Sequence, residues 1–422
     1  MWTNEKDKAL RERAAEVIPG GMYGHQSTLL MPEDFPQFFT KAHGTRITDA
    51  DGNVYIDYMC AYGPNLLGYG QADVAAAVTR QQALADTCTG PGPVMVDLAE
   101  AMVGMISHAD WAMFCKNGAD STMMALMIAR AYRGKRKVLV ANQAYHGSMP
   151  WNTPRPGGVV AEDRAHIIYF DYNDTQALAD AVKEAGDDLA GIFAAPFRHD
   201  TFHDQSMPDP EYARVARKLA DEHDALLIVD DVRAGFRMTR DCSWETVGVQ
   251  PDLSCWGKVL GNGQPISALV GNNRAREAAS KIFVTGSYWF SAVPMAAALE
   301  TLRIIRETDY LERMEKAGEG FRAGLVKQAA DFGFGLRHTG PATMPIVLFE
   351  DDPDFKIGYG FCRAAMKRGV YMSPYHNMFM NAAMTDADLE ETLEATGAAF
   401  EEIKKNRASL KPSAVLAALA DA

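Results

Sequence analysis

The sequence predicts an α/β fold, in which a large domain with a mainly parallel sheet is joined to a smaller α+β domain. Short runs of β-branched or aromatic residues alternate with longer segments whose apolar positions recur at i, i+3 and i+4. This alternation is typical of a parallel sheet covered by helices on both faces. With 422 residues, 47% hydrophobic and 23% charged, the chain is long and apolar enough for two or three domains.

The individual elements are predicted in chain order. An Asp51-Gly52 turn between 46–49 and 54–57 predicts a hairpin, because glycine tolerates the positive φ of a tight turn. Strands separated by helices are predicted at 111–115, 137–141, 166–170, 191–195, 225–230 and 266–270. They are followed by helices at about 292–308 and 310–332, a strand at 344–349 and terminal helices ending near 405.

Two domains are predicted, and the smaller one draws on both ends of the chain. Beyond about residue 300 the short strands give way to long helices, so the pattern changes there. We expect residues 56–300 to form the large domain. We expect residues 1–55 and 301–422 to contribute to the small one.

Composition excludes several classes of function. Lys and Arg number 42 against 55 Asp and Glu, and the net charge of −13 is spread along the chain, which argues against nucleic-acid and anionic-membrane binding. No apolar run approaches the ~20 residues that span a bilayer, and the N-terminus lacks the apolar core of a signal peptide. Six widely spaced cysteines without a CxxC pair indicate free thiols and a cytoplasmic location.

One histidine pair has metal-ligand spacing. His199 and His203 are four residues apart, beside Asp200 and Asp204, and Thr-Phe lies between the histidines. This composition is more typical of a solvated polar loop. No other Cys or His has the spacing of a partner ligand, so we predict no metal.

A phosphate site is predicted where the strand at 111–115 leads into a helix near Gly118. The first N–H groups of a helix have no intrahelical acceptor, and they lie at the positive end of its dipole. Asn117, Gly118 and Ala119 can therefore bind a phosphate. Alone, this motif is also typical of an ordinary strand-to-helix turn.

Two further motifs follow predicted strands. Tyr145-His146-Gly147 places an aromatic ring where it can stack on a planar ligand, because ligands bind at the carboxyl ends of parallel strands. Another strand ends in Asp230-Asp231-Val232, and a carboxylate there can keep a pyridine-type nitrogen protonated. A core-capping aromatic and a surface acidic turn are the ordinary alternatives.

The fourth motif is a lysine between glycines, Gly257-Lys258, followed by Gly261-Asn-Gly263. Flanking glycines let the backbone pass close to a planar group, and a desolvated lysine amine forms a Schiff base with a carbonyl cofactor. A phosphate turn, an aromatic ring, a strand-end aspartate and a Gly-Lys pair, in this order, are the parts that hold pyridoxal 5′-phosphate (PLP). Together they predict PLP as the cofactor.

With these residues the sequence resembles the class III PLP-dependent aminotransferases, and within them the glutamate-1-semialdehyde aminomutase-like branch. The resemblance runs from Ile18-Pro-Gly-Gly21 to Thr385-Asp-Ala-Asp-Leu389, and its most specific block is Asp230-Asp-Val-Arg-Ala-Gly-Phe-Arg237 with Lys258. Runs such as Met59-Cys-Ala-Tyr-Gly-Pro-Asn65 are similar to those of bacterial aminotransferases of hydrolysed fumonisin, a long-chain aminopolyol. The resemblance implies a fold-type I PLP-dependent transferase.

The resemblance also implies roles for individual residues. Lys258 would be the catalytic Schiff-base lysine, and Asp230 would pair with the pyridine nitrogen. The cofactor-binding set would be Asn117, Gly118, Ala119, Tyr145, His146, Asp230, Val232, Lys258 and Ser287. Family members are homodimers or larger homo-oligomers with the site at the interface, and Ser287 would reach the partner's phosphate site.

Several positions depart from the family pattern. Asn117-Gly-Ala119 replaces a Ser-Gly-Thr phosphate site, and Ala195-Pro196 replaces a Glu-Pro pair. Ser27 stands at about the position of the aminomutase's carboxylate-binding arginine, and no Arg lies between Arg368 and Arg407, where many relatives have one. We infer an amine donor that need not be an α-amino acid and an oxo-acid acceptor such as pyruvate.

A long-chain or bulky amine needs an apolar pocket. The aromatic residues near the cofactor motifs in sequence are Tyr23, Trp151, Phe197 and Trp289. Packing in the core or at an interface is the ordinary alternative for each of them.

Three other functions compete with an aminotransferase. An aminomutase or racemase would use the same Lys258 and Asp230 but return the amino group to the same molecule. A decarboxylase would need a carboxylate-binding group, and no obvious arginine supplies one. A non-catalytic protein with this fold would not need to retain Lys258 and Asp230. The sequence therefore favours an aminotransferase, with an aminomutase or racemase as the alternative.

Overall fold

A computed structural model describes residues 2–27, 31–155, 157–199 and 201–420. The α-helices are α1 Glu5–Val17, α2 Ala72–Leu84, α3 Val94–Met105, α4 Gly118–Arg133, α5 Thr175–Ala185, α6 Pro210–Glu222, α7 Asn273–Lys281, α8 Ala292–Glu307, α9 Tyr310–Phe332, α10 Lys356–Met366, α11 Asp386–Lys405 and α12 Ala414–Ala420. The strands are β1 Phe39–His43, β2 Arg46–Asp49, β3 Val54–Asp57, β4 Trp111–Cys115, β5 Lys137–Ala141, β6 Ile167–Phe170, β7 Leu189–Ala194, β8 Leu226–Asp230, β9 Leu253–Trp256, β10 Ser267–Gly271, β11 Leu336–Arg337, β12 Leu348–Phe349 and β13 Val370–Tyr371.

A seven-stranded sheet in the order β4-β10-β9-β8-β7-β5-β6 forms the centre of the molecule. Only β10 runs antiparallel to its neighbours, and the remaining pairs are parallel. Every residue of β7 and β8 is buried, as expected for strands covered by helices on both faces. The predicted mainly parallel sheet is confirmed. Residues that follow β4, β5, β8 and β9 consequently emerge at the same edge.

A second sheet joins the two ends of the chain. Its order is β1-β2-β3-β13, and β13 pairs in parallel with β3 so that Val370 lies opposite Ile56. The predicted hairpin at 46–57 forms its centre. On the same side of the molecule, Arg46 contacts Asp388 of α11 at 3.2 Å. These contacts support the division into a large domain and a two-segment small domain, which stays a prediction.

The structure differs from the predicted elements in several places, and the short strands β1, β11 and β13 are among those not predicted. β9 was not predicted, because Leu253–Trp256 contains no β-branched residue, although all four side chains are buried. The strand predicted at 344–349 is reduced to Leu348–Phe349, and α12 extends the helical region beyond 405. No helix in the described part of the chain combines the length and apolar character that a membrane crossing requires.

Candidate active site

A cavity of about 580 Å³ lies at the carboxyl edge of the seven-stranded sheet. This volume falls within the range of about 300–1,000 Å³ that is typical of small-molecule sites. The cavity is lined by residues that follow β4, β5, β8 and β9. The predicted site residues that it brings together are Asn117, Gly118, Ala119, Tyr145, His146, Asp230, Val232 and Lys258.

The start of α4 forms part of the cavity wall. Asp120 Oδ2 accepts hydrogen bonds from the backbone N–H groups of Lys116 (3.2 Å) and Asn117 (2.8 Å), which fixes the turn into the helix. The N–H groups of Gly118 and Ala119 find no acceptor among the described residues, as is usual in a first helical turn. With the helix dipole, this turn can bind an anion.

Gly118 is required at this turn because of a close contact. A Cβ atom at this position would lie 2.5 Å from Cγ1 of Val232. The absence of a side chain therefore lets the start of α4 pack directly on the residue that follows β8 by two positions. The phosphate-binding turn and the aspartate-bearing strand end are held together by this contact.

Asp230 ends β8 and is fixed by two hydrogen bonds. Its Oδ2 accepts a bond of 2.8 Å from His146 Nδ1, and its Oδ1 accepts one of 3.1 Å from the N–H of Val232. His146 Nε2 is buried and has no partner among the described residues. The His146 ring lies parallel to the Trp151 ring, with an interplanar angle of 4° and centroids 6.3 Å apart. Asp230 is thus held in one orientation at the cavity.

The adjacent carboxylate has a different environment. Asp231 does not line the cavity, and its Oδ2 accepts a hydrogen bond of 2.9 Å from the N–H of Ser243. Burial raises the pKa of Asp231 to about 6. Only Asp230 of the two is therefore placed to act on a ligand in the cavity.

Lys258 is held in a strained backbone conformation directly after β9. Its φ of 42° lies in the left-handed region, which is uncommon for non-glycine residues. Its Nζ donates a hydrogen bond of 2.9 Å to the carbonyl oxygen of Tyr62. Burial lowers the pKa of Lys258 to about 7, and the positive charges of Arg233 and Arg237 contribute. A substantial fraction of the amine is therefore neutral near pH 7, the form that attacks a carbonyl.

Arg233 and His199 are cavity residues that the sequence analysis did not assign to the site. Arg233 lines the cavity, and its Nη1 donates hydrogen bonds to His376 Nε2 (3.2 Å) and Asn377 Oδ1. Because these partners lie about 140 residues away in sequence, no local signal could have revealed them. His199 also lines the cavity, in contrast to the predicted solvated loop.

His199 is half-buried and lies near the positive charge of Arg233. Its Nδ1 lies 3.0 Å from the carbonyl oxygen of Phe197, and burial together with the charge of Arg233 holds the pKa of His199 well below its usual value. His203 is exposed, and Asp200 lies outside the described residues. Within the described ranges no group of three or more His, Cys, Asp or Glu side chains could hold a metal ion.

Five predicted site residues do not line this cavity. Trp151 and Phe197 are buried in the core, where Trp151 packs against His146 and Phe197 belongs to a cluster with Phe379. Their assignment to the substrate pocket is therefore corrected, because both side chains fill the core around the site. Tyr23 and Ser287 are exposed and Trp289 is half-buried, all outside the cavity of their own chain.

The chemistry of the cavity fits PLP. The cofactor carries a phosphate, a ring nitrogen that binds a proton and an aldehyde. The cavity offers unpaired N–H groups at the start of α4, the buried carboxylate of Asp230 and the partly neutral amine of Lys258. Each group of the cofactor therefore has a partner of suitable charge and hydrogen-bonding capacity.

A model of the family described as Aminotransferase class-III matches residues 31–400. This chain belongs to the class III aminotransferases. Aminopentol aminotransferase of Sphingopyxis macrogoltabida is 59% identical over 422 residues, which is the full length of both chains. Glutamate-1-semialdehyde 2,1-aminomutase of Desulfitobacterium hafniense is 29% identical, over 93% of this chain and 97% of its own.

A solved structure is similar over nearly the whole chain of this class III aminotransferase. It shows the PLP internal aldimine form of the FumI protein of Sphingopyxis sp. MTA144, with 60% identity and a TM-score of 0.96. The match covers 97% of this chain and 99% of that one. The predicted family, the fold-type I architecture and the PLP cofactor are confirmed.

Proposed function

We propose that this aminotransferase moves an amino group from an amine without an α-carboxylate to an oxo acid such as pyruvate. A long-chain or bulky amine is supported by the full-length similarity to a protein whose name gives aminopentol as its amine. The observation that carries the proposal is the placement of the Lys258 amine, with a pKa of about 7, in one cavity with Asp230 and the start of α4.

The residues that would hold PLP follow from the cavity. The turn of Asn117, Gly118 and Ala119 would bind its phosphate through the N–H groups of Gly118 and Ala119, and Asp230, oriented by His146, would pair with its ring nitrogen. Tyr145 and Val232 would contact the faces of the ring. When bound, PLP supplies an aldehyde carbon that takes up the amino group and a protonated ring that draws electrons from the reacting carbon.

Lys258 is the proposed proton carrier. Once the incoming amine has replaced it on the cofactor, Nζ can remove the proton from the substrate carbon that bears the nitrogen. A group with a pKa of about 7 both accepts and donates protons efficiently near neutral pH. The carbonyl of Tyr62, which accepts a hydrogen bond from Nζ, provides a resting position for this amine.

The absorbance of the cofactor tests this function directly. We expect the purified protein with PLP to absorb visible light, to lose that absorbance when aminopentol is added without an acceptor, and to regain it when pyruvate is added. Lys258→Ala should show neither change. A wild-type protein whose spectrum ignores every amine offered would contradict the proposal.

An aminomutase or racemase remains the alternative. The aminomutase relative is 29% identical, against 59% for the aminopentol aminotransferase, which favours amino transfer between two molecules. A single turnover with the amine alone distinguishes them. An aminotransferase releases one equivalent of carbonyl product and keeps the nitrogen on the cofactor, whereas an aminomutase releases an isomeric amine.

A homodimer or larger homo-oligomer with the site at the interface is also proposed. Phe283 is 86% exposed, and Leu84, Tyr288 and Phe290 are exposed as well. The segment that contains Leu84 lies beside the segment 283–291, because Thr87 Oγ1 and Ser291 Oγ are 2.9 Å apart. An exposed apolar surface of this kind is typical of a partner interface. Ser287 lies within it and would reach the phosphate site of the partner subunit.

Light scattering tests the assembly. Phe283→Asp should convert the oligomer into monomers and reduce retention of PLP, because a charge at the centre of an apolar interface is costly. Val160→Asp is the matched control, since Val160 is another exposed apolar residue and lies far from Phe283 in sequence. An unchanged mass for Phe283→Asp would contradict this interface.

We also propose that the enzyme resides in the cytoplasm. All six cysteines are free thiols, and five of them are buried. Free cysteines without disulfides are typical of a reducing compartment. Fractionation of the native host with an antibody against the chain would test this location.

A further inference from the structure

Arg233 provides a carboxylate site in the cavity. We propose that its guanidinium binds the carboxylate of the oxo-acid acceptor and so selects the acceptor over neutral carbonyl compounds. The inference rests on the proposed amino transfer to an oxo acid. It assigns acceptor recognition to a residue within the block that also carries Asp230.

The hydrogen bonds of Arg233 leave one edge of the guanidinium open. Nη1 is engaged by His376 Nε2 and Asn377 Oδ1. His376 Nδ1 lies 2.6 Å from the carbonyl oxygen of Asn377, so its proton is on Nδ1 and Nε2 accepts from Arg233. Among the described residues, Nε and Nη2 have no acceptor. These two N–H groups form the edge that binds a carboxylate in bidentate fashion.

Arg233 also forms no direct ion pair with the described residues. Both acceptors on Nη1 are neutral groups, and no ion pair of Arg233 is formed among the described residues, although the more distant Asp230 carboxylate and Tyr145 raise its pKa against the effect of burial. Burial lowers the pKa of Arg233 to about 10, so the group is still protonated at neutral pH. A partly buried cation without a counter-ion favours an anionic ligand, because the ligand compensates the cost of desolvation.

Arg237, four residues further along the chain, is an arginine with a purely structural role. It is fully buried, and its two Nη atoms donate hydrogen bonds of 2.6 Å to the carbonyl oxygens of Gly63 and Met380. The ring of Phe379 lies 5.0 Å from its guanidinium carbon. Arg237 thus joins two chain segments and does not line the cavity, whereas Arg233 does.

Lys116 is the other cation of the lining besides Lys258, and it is a weaker candidate. It directly precedes the turn that is proposed to hold the cofactor phosphate. The carboxylate of Asp86 is near enough to raise its pKa against the effect of burial. Asp230 acts on Arg233 in the same way, so geometry separates the two cations: an ammonium group lacks the bidentate geometry of a guanidinium.

The test uses the PLP-loaded enzyme and follows its two half-reactions separately. The amine half-reaction is measured as loss of cofactor absorbance without an acceptor. The acceptor half-reaction is then measured with pyruvate and with methyl pyruvate, which offers the same ketone without the negative charge. We expect the wild type to prefer pyruvate and the preference to fall about 100-fold in Arg233→Gln, the effect of losing a charge-assisted bond.

Three comparisons decide the outcome. Because loss of the Arg233 charge also raises the pKa of Lys258, the amine half-reaction of Arg233→Gln should slow near pH 7, but this affects the rates with pyruvate and methyl pyruvate equally and leaves their ratio unchanged. Arg233→Lys should restore part of the preference for pyruvate. Asn377→Ala, which leaves the guanidinium in place but frees Nη1, should lower the preference by about tenfold. Retention of the preference for pyruvate in Arg233→Gln, or its loss in Lys116→Gln, would overturn the inference. Failure of the amine half-reaction in the wild type would instead overturn the proposed function.

Discussion

Asp230 and Asp231 are neighbours in sequence, yet their carboxylates serve different parts of the structure. Asp230 accepts a 2.8 Å hydrogen bond from His146 and lines the cavity, whereas Asp231 accepts one of 2.9 Å from the N–H of Ser243 outside it. The two residues therefore form a natural pair for separating catalytic from structural effects.

The isosteric substitutions Asp230→Asn and Asp231→Asn should affect kcat very differently. Asp230→Asn removes the negative charge proposed to keep the ring nitrogen protonated, so we expect kcat to fall about 100-fold or more. Asp231→Asn retains an oxygen that can accept from Ser243, so kcat should stay near the wild-type value. Steady-state rates of both variants check this, and equal losses in the two would count against the assigned role of Asp230.

His146 should be a positioning residue for Asp230. His146→Phe keeps a ring against Trp151 but removes the Nδ1 donor, and we expect a loss of about 10–100-fold in kcat, as is usual when an orienting hydrogen bond is removed. His108 offers a control, since it is also buried and lies 3.1 Å from Ser254 Oγ. His108→Phe should lower the melting temperature without changing kcat. A fall in kcat for His108→Phe, with an unchanged kcat for His146→Phe, would contradict the positioning role of His146.

The large domain was predictable because its strands are continuous apolar runs. β4 and β5 were predicted with their observed limits, and the motifs that follow them met in one cavity as the parallel topology requires. The direction of individual side chains was not predictable. Trp151 and Phe197 turn into the core, and Arg233 is placed by His376 and Asn377 from a distant segment. Local sequence carries no information about such long-range contacts.

Uptake of PLP by the cofactor-free protein should depend on pH through Lys258. The neutral amine is the reactive form, and the pKa of Lys258 is about 7. The rate should therefore rise with pH up to about 7 and then level off, whereas a lysine with its ordinary pKa of 10.5 would give a rate still rising at pH 9. Stopped-flow absorbance measures this profile.

The same experiment on Arg233→Gln tests the cause of the shift. The positive charge of Arg233 contributes to lowering the pKa of Lys258, after burial. Removing it should move the midpoint of the profile to higher pH, and Lys258→Ala should show no covalent uptake at any pH. An unchanged midpoint in Arg233→Gln would mean that Arg233 does not contribute and that burial and the charge of Arg237 lower the pKa of Lys258.

Gly118→Ala should weaken PLP binding through a single steric contact. The added Cβ would lie 2.5 Å from Cγ1 of Val232, so either the start of α4 or the residue against the proposed ring face must move. Overpacking of this kind costs about 1–3 kcal/mol, and we expect the dissociation constant for PLP to rise about tenfold or more. Gly104→Ala is the matched control, because Gly104 lies in α3 and a Cβ added there would meet no atom within 4 Å. It should bind PLP as the wild type does and gain slightly in stability, since alanine favours a helix more than glycine. Equilibrium titration with PLP compares the two variants, and equal affinities would show that the contact between α4 and Val232 does not shape the phosphate site.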